Sequence, residues 1–573
     1  MVVKKKKTLL VLSAVLSFSL LRPPVSAEPT GQEPVQTGQE QTVQAGTNKK
    51  AKPVKNPLRH SWDQPGHSSS VLHPGAHAAA GMTAEPLAQI DRLIEAEIAK
   101  KTMPGAVVLI ARRGVIVKEQ AYGYAARYTD DQFGLMDEPI PMKPDTIFDL
   151  ASISKLFTAT AIMQLYDQGK LKLDDPVAKY IPEFAANGKE RVTIRQLLVH
   201  TSGFEPSIKD LYLQGTSRED RLQIVFAHPL QSEPGTQYVY SDLNLIVLGA
   251  LVERISGQRL DQYVEQQIVE PLGMSDTMYN PPERLKKRIA ATESQPWTNR
   301  PMVWGQVHDE KAWSLDGVAG HAGVFSTARD LAVFAQMMLN KGTYKGQQIL
   351  SKQSVKLMME NQLPQFPGDD HGLGWELNQG WYMDALGDAF SMGHTGYTGT
   401  SIVVSPNNET ICILLTNRVH PTRETVSTNP VRRTVARQAA LAIPVANPWK
   451  DKRWFAGSGD QLQTTLTAEI KLPEGGTLSA DVWYRIENER DYGYVEATTD
   501  GQNWQSIGAG MTGESDWQQL SWKIPAGTKK LRFRYATDES VNGRGWYLHN
   551  PQIFGQNGQP LKANWIADGW TQE

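Results

Sequence analysis

Cysteine is all but missing from this chain: Cys412 stands alone among 573 residues, which excludes an intrachain disulfide and any multi-cysteine metal site. Its neighbours are apolar, so the thiol is expected to act as a small hydrophobe in a strand. A charge of one sign is missing too. Lys and Arg number 59 against 61 Asp and Glu, a net of -2, which removes any bulk attraction to nucleic acid or to an acidic membrane. Long hydrophobic runs are absent beyond the first residues. The run 8–21 holds about 14 residues, short of the ~20 that cross a bilayer. It follows four lysines at 4–7 and precedes the small-residue site Val25-Ser26-Ala27. That order reads as an export signal over residues 1–27, cleaved near Ala27. The mature chain is expected to be secreted or held in the cell envelope, and no cysteine follows the run to carry a lipid.

What is present is an ordinary globular composition, 40% hydrophobic and 21% charged, with length for two or more domains. Residues 28–84 are rich in Gln, Thr, Pro, Gly, Lys and His and show no apolar periodicity, so a disordered linker is expected there. His60, His67, His73 and His77 lie in it and read as solvated, not as ligands. From residue 85, Leu87, Ile90, Leu93, Ile94 and Ile98 recur at helical spacing. Runs 106–111 and 115–122 read as strands turned at Arg112-Arg113-Gly114. Runs 401–404 and 411–416 are continuously apolar, as in central strands covered on both faces. Helices around a mostly antiparallel sheet predict an α+β domain over 85–445. From about residue 447 the composition changes. Nine of the 15 tryptophans fall there, among short strand-like segments turned at Asp500-Gly501 and Asn542-Gly543. A second, all-β sandwich domain is predicted over 446–573.

One stretch carries reaction chemistry. Ser152 and Lys155 stand three apart at the mouth of an apolar helical run, so their side chains share a helix face. A lysine in an apolar setting loses its proton more readily and can then activate a serine hydroxyl. Ser154 points ~200° away from Ser152 on the same helix, towards the packing side.

Four stretches follow one another in a telling order: Phe148-Asp149-Leu150-Ala151-Ser152-Ile153-Ser154-Lys155, Leu197-Leu198-Val199-His200-Thr201-Ser202-Gly203, Tyr240-Ser241-Asp242 and His394-Thr395-Gly396. Through them residues 85–445 resemble the serine β-lactamase and penicillin-binding protein superfamily, in its class C-like branch of D-Ala-D-Ala carboxypeptidases, amidases and esterases. The first, third and fourth stand where that family has S-x-x-K, Y-x-N and K-T-G. The resemblance implies a β-lactamase/transpeptidase-like fold and an acyl-enzyme on Ser152, with Lys155 as general base. It implies that Tyr240, its phenol lowered in pKa by nearby cations, relays protons, and that the backbone N–H groups of Ser152 and Tyr397 form the oxyanion hole. Asp242, Asn244, His394, Thr395, Gly396 and His321 are the implied substrate-binding residues. No metal or organic cofactor is implied.

Two departures narrow the substrate. Asp242 replaces the family's Asn and turns an amide donor into an acceptor; His394 replaces Lys and weakens the constant positive charge available to a β-lactam carboxylate. The run His308-Asp309-Glu310, with 315–327 and 393–401, resembles penicillin-binding or cell-wall-recycling hydrolases, although by itself it reads as a solvated loop. The implied partner is a peptidoglycan peptide or a small amide or ester, cut at D-Ala or at the muramoyl amide, with no nucleic acid. A broad esterase, or an acylating envelope protein with little turnover, is the alternative. The last domain resembles jelly-roll modules of secreted bacterial hydrolases through Asp491-Tyr492-Gly493-Tyr494-Val495-Glu496, Thr499-Asp500-Gly501-Gln502-Asn503-Trp504, Leu531-Arg532-Phe533-Arg534-Tyr535 and Gly545-Trp546-Tyr547-Leu548. Such modules carry an acidic pair where this chain has His549-Asn550, which argues against calcium. Loose cell-wall association is its expected role, and its tryptophans are expected to form the core rather than a glycan platform.

Overall fold

The computed structural model describes residues 62–63 and 66–573. The expected signal peptide, and the expected linker up to residue 61, lie outside the described residues. At the centre is an eight-stranded sheet built from β1 (His73–Pro74), β2 (Gly105–Arg112), β3 (Val115–Tyr128), β4 (Leu135–Pro141), β5 (Glu376–Leu377), β6 (Met392–Gly396), β7 (Thr400–Ser405) and β8 (Thr410–Thr416). The strands run in the order β1-β3-β2-β8-β7-β6-β5, with β4 against β3. Only the β1–β3 pairing is parallel within this sheet.

Every residue of β2, β7 and β8 is buried, because the sheet has helices on both faces. Side chains alternate along a strand, so β2 feeds two cores. Val107, Leu109 and Ala111 face the helix Ala328–Leu339, in the core that also holds α2 (Ser154–Asp167) and α3 (Asp242–Ser256). Ala106, Val108 and Ile110 pack with Leu87, Ile90 and Ile94 of α1 (Ala84–Ala99) and with Val435 and Ala439 of the helix Asn429–Leu441. Cys412 of β8 is buried in this second core, which pushes its thiol up to about 12.

The expected disorder of residues 28–84 does not hold where the chain is described. Trp62 is buried, Asp63 pairs with Arg112 at 2.7 Å and with Arg113 at 3.1 Å, and His73–Pro74 joins the sheet. The attachment uses isolated anchors, Trp62, Asp63, Ala80 and Met82, so no periodicity announces it in the sequence.

The C-terminal strands form two antiparallel sheets. One runs through Glu514–Ile524, Gly476–Arg485, Gly545–Gly555, Trp454–Phe455 and Thr571–Gln572, the other through Gln505–Ser506, Tyr492–Thr498, Thr528–Ala536, Gln463–Leu472 and Trp565–Asp568. Their inner faces meet around Leu466, Leu478, Phe533 and Trp546. Trp483 and Tyr547 turn the other way, into the core shared with α1. A buried polar joint adds to that contact: Asp384 accepts from Arg437 Nε at 2.7 Å and from the Asn542 backbone N–H at 3.1 Å. His549 is gripped by Asp451 at 2.8 Å and Asp481 at 3.0 Å, with Trp449 stacked on it at 3.9 Å. No helix among the described residues is long and apolar enough to cross a membrane.

Candidate active site

Ser152 does not sit inside α2 but in the one-turn 3-10 segment Ala151–Ile153 that leads into it. Ala151 takes φ +47°, which turns the chain sharply and aims Ser152 outward. From residue 151 to 165 it is the one residue that is not fully buried. Ser154 faces the packing side, its Oγ accepting from the Val324 N–H at 3.0 Å.

Lys155 is buried and its ammonium has three acceptors: Ser152 Oγ at 2.9 Å, Asp242 Oδ1 at 2.9 Å and the His321 carbonyl at 3.5 Å. The surroundings of this lysine are therefore not apolar but include a carboxylate as direct counter-ion. Asp242, expected to meet the substrate, is committed to Lys155, and its second oxygen lies 3.5 Å from Lys311. Burial would raise this carboxyl, but Lys155 foremost among its neighbours holds it below the usual carboxylate range.

The ring extends further. Lys311, on α4 (Glu310–Ser314), reaches Asp309 at 3.0 Å, and Asp309 accepts from His321 Nε2–H at 2.9 Å. Because the His321 carbonyl accepts from Lys155, the chain of contacts closes on itself. The small residues around His321 allow this approach: a Cβ on Gly320 would collide with the Leu245 carbonyl of α3. A buried tie holds the loop to the turn that carries Ser152. Asp149 accepts from the His308 N–H at 2.6 Å with one oxygen and from the Ala151 N–H at 2.9 Å with the other.

Tyr240 lies beside this ring, with Lys155 Nζ 4.7 Å from its ring centre and its phenol against the Ser152 hydroxyl. The expectation of a phenol lowered by cations is reversed. Burial, then the charges of Asp242 and Glu376, push it well above its ordinary value. Neutral imidazoles flank it. His200, its ring 4.6 Å away, is held neutral by burial, and its Nδ1 accepts from the Ser241 N–H at 3.0 Å and from the Asn244 amide at 3.1 Å. Asn244 also accepts from Ser202 Oγ at 2.6 Å and is buried. It is a brace behind the site and not a substrate contact, since two residues along a helix rotate its side chain ~200° from Asp242.

His394, on β6 at 6.1 Å from Tyr240, is pushed down to about 3 by burial and by Lys155. Its Nδ1–H donates to the Thr395 carbonyl at 2.7 Å, so the buried Nε2 is a bare acceptor without a partner. It cannot supply positive charge to a substrate at neutral pH. Two hydroxyl clamps fasten the turn after β6 to the segment just before Ser152: Thr398 donates to the Asp149 carbonyl at 2.7 Å and Thr400 to the Leu150 carbonyl at 3.0 Å. Tyr397, just ahead of them, stacks on His308 at 5.7 Å. Thr395 and Gly396 complete the strand edge, which β5 covers only at Met392 and Gly393.

Asp309, Lys311, the Asp149 tie and Glu376 escaped the sequence as site residues. Lys311 and Glu376 had no signal at all. Glu376 faces Gly393 across the β5–β6 pair, its Oε2 is buried without a partner, and burial pushes its carboxyl up to about 7. A carboxyl raised in the folded state stabilises the fold fully below its ordinary value of 4.5 and loses that contribution as pH climbs through about 7. Glu376→Gln is therefore expected to melt about 2 °C above the parent at pH 8 and to lose that advantage at pH 5. Thermal melts at the two pH values check it.

This fold and this serine–lysine–tyrosine arrangement define a serine hydrolase, and the family model "Beta-lactamase" matches residues 90–437. The chain belongs to that family. It is 36% identical over 380 residues to an Escherichia coli K12 protein named "Putative D-alanyl-D-alanine carboxypeptidase", across 61% of this chain and 86% of that one. To the "N-acetylmuramyl-L-alanine amidase" of Bacillus subtilis 168 it is 34% identical over 371 residues, across 60% of this chain and 83% of the other. A penicillin-binding protein homolog from Caulobacter crescentus shares the fold, with a TM-score of 0.50 at 22% identity, over 64% of this chain and 99% of its own.

Proposed function

We propose that the protein is an exported hydrolase that cuts a cell-wall amide through a Ser152 acyl-enzyme, and that the bond is an internal amide of the muramoyl type, not the C-terminal D-Ala-D-Ala bond. In this reading Ser152 is the nucleophile, Lys155 its base, a neutral Tyr240 the proton relay, and the N–H groups of Ser152 and Tyr397 the oxyanion hole. The contact that carries it is Lys155 Nζ to Ser152 Oγ at 2.9 Å.

The choice of bond rests on charge. A carboxypeptidase must hold a free carboxylate next to the bond it cuts. Here Lys155 and Lys311 are each matched by a carboxylate, Arg423 is paired with Glu293 and Glu310 at 2.6 Å each, and His394 is neutral. A buried carboxylate without a counter-charge is strongly disfavoured. The same balance disfavours efficient β-lactam hydrolysis. The names of the Bacillus and Escherichia relatives fit one alternative each. Residues from about 446 form, in this reading, a separate module for loose attachment to the wall.

Mass spectrometry of purified muropeptides incubated with the enzyme tests the proposal. The expected product is a free stem peptide together with its lactyl sugar. Release of a single D-alanine would overturn the choice of bond and favour the carboxypeptidase. Rapid turnover of 4-nitrophenyl esters with no attack on any muropeptide would overturn the substrate class.

A further inference from the structure

The ring Lys155, Asp242, Lys311, Asp309, His321 contains two lysines, and only one of them touches the nucleophile. Asp242 lies between them, one oxygen 2.9 Å from Lys155 and the other 3.5 Å from Lys311. Lys311 stays protonated: burial works against its ammonium and is outweighed by Asp309 and Asp242. We propose that Lys311 and Asp309 are positioning residues that set, through Asp242, how readily Lys155 takes the Ser152 proton. The proposal rests on the reading of Ser152 as nucleophile and Lys155 as base.

The chemistry needs a neutral Lys155. The Ser152 proton passes to Nζ as Oγ bonds to the carbonyl carbon, and the same proton is returned through the Tyr240 hydroxyl to the leaving nitrogen or oxygen as its bond to carbon breaks. Water then adds to the acyl carbon as its proton passes to the Tyr240–Lys155 pair, and the C–Oγ bond breaks as that proton is returned to Ser152 Oγ, which releases the acid and restores the serine. In the resting site all three Lys155 donors are satisfied, with Asp242 as the ionic partner. A carboxylate facing Lys155 alone would hold the proton there. Lys311 draws on the same carboxylate from its other side, and its own charge opposes a second ammonium nearby. Asp309 tempers Lys311 in turn. The other groups around Lys155 are the Tyr240 ring, the His321 carbonyl, His200, His394 from β6 and Glu376 from β5.

Removing the positive charge of Lys311 and removing the negative charge of Asp309 must then act in opposite directions. For 4-nitrophenyl acetate turned over by the full chain, Lys311→Met is expected to move the acid limb of kcat/KM up by about one pH unit, and Asp309→Asn to move it down by about as much. Asp309 caps α4 by accepting from the Ala312 N–H at 2.8 Å. The amide introduced by Asp309→Asn keeps an oxygen for that bond, so α4 survives the change. Lys311→Arg restores the parental limb, which keeps the test valid if the methionine variant folds poorly. Both profiles are repeated with Glu376→Gln, so that titration of Glu376 does not enter. Limbs that stay in place, or that move in the same direction, overturn the proposal. Hydrolysis that survives Ser152→Ala overturns the underlying reading instead, so the two failures are distinct.

Discussion

Ser152→Ala is expected to lower kcat/KM by about 10⁴-fold or more on any ester or amide the enzyme turns over, with the melting temperature within about 2 °C of the parent. The size follows from the proposed role of Ser152 as the single nucleophile of the site. Ser154, the nearest hydroxyl in sequence, is buried and bonded to the Val324 N–H, so it cannot take over. The fold survives because Ser152 is the one partly exposed residue in the run 151–165, and the methyl group of alanine leaves no buried cavity behind. Lys155 loses one acceptor and keeps Asp242 and the His321 carbonyl. Steady-state kinetics beside a thermal melt separates the two effects. Unchanged turnover would refute the nucleophile.

The parts legible in the sequence are those written as local pattern. The spacing of Ser152 and Lys155 puts both on one side of a turn, the apolar runs of β7 and β8 announce strands covered on both faces, that of β2 announces a strand, and the tryptophan-rich end announces its sandwich. What escaped depends on burial or on closure between distant segments. Whether Asp242 meets a substrate or a lysine is decided by how α3 lies against α2, and the sequence near Asp242 carries no trace of it. The direction of the Tyr240 shift depends on desolvation outweighing the cations, which needs the buried environment of the whole cleft. Asp309 sits in a run, His308-Asp309-Glu310, that reads as a solvated loop until Asp149 and His321, both outside that run, are seen to hold it, and Lys311 follows directly after it. Asn244 could have been set aside earlier, because its helical phase turns it from Asp242. The anchors Trp62 and Asp63 act singly, and single residues leave no period to detect.

Gly396→Ala, which removes no functional group, should lower kcat/KM by about 10²–10³-fold. Gly396 ends β6 where the strand crosses closest to the nucleophile's turn. An added Cβ would collide with the Leu150 carbonyl and with Thr400 Oγ1. The first of these is backbone and cannot rotate aside. Thr400 Oγ1 in turn donates to that same carbonyl at 3.0 Å, so the methyl group would enter the clamp itself. Relief requires β6 to withdraw from residues 150–152, and the next N–H along the strand is that of Tyr397. An oxyanion donor is effective only within hydrogen-bonding distance of the charge that develops in the transition state, so even a displacement of about 1 Å removes most of its value. Thr398, one residue beyond, would tend to lose its bond to the Asp149 carbonyl at the same time. The sheet itself should hold, because β6 remains paired with β7 from Met392 to Thr395 and with β5 at Met392 and Gly393. The loss should therefore fall on kcat far more than on melting temperature, and rates of Ser152 acylation measured in single turnovers should drop in parallel with kcat/KM. A variant that acylates at the parental rate would show that Gly396 does not position the oxyanion hole.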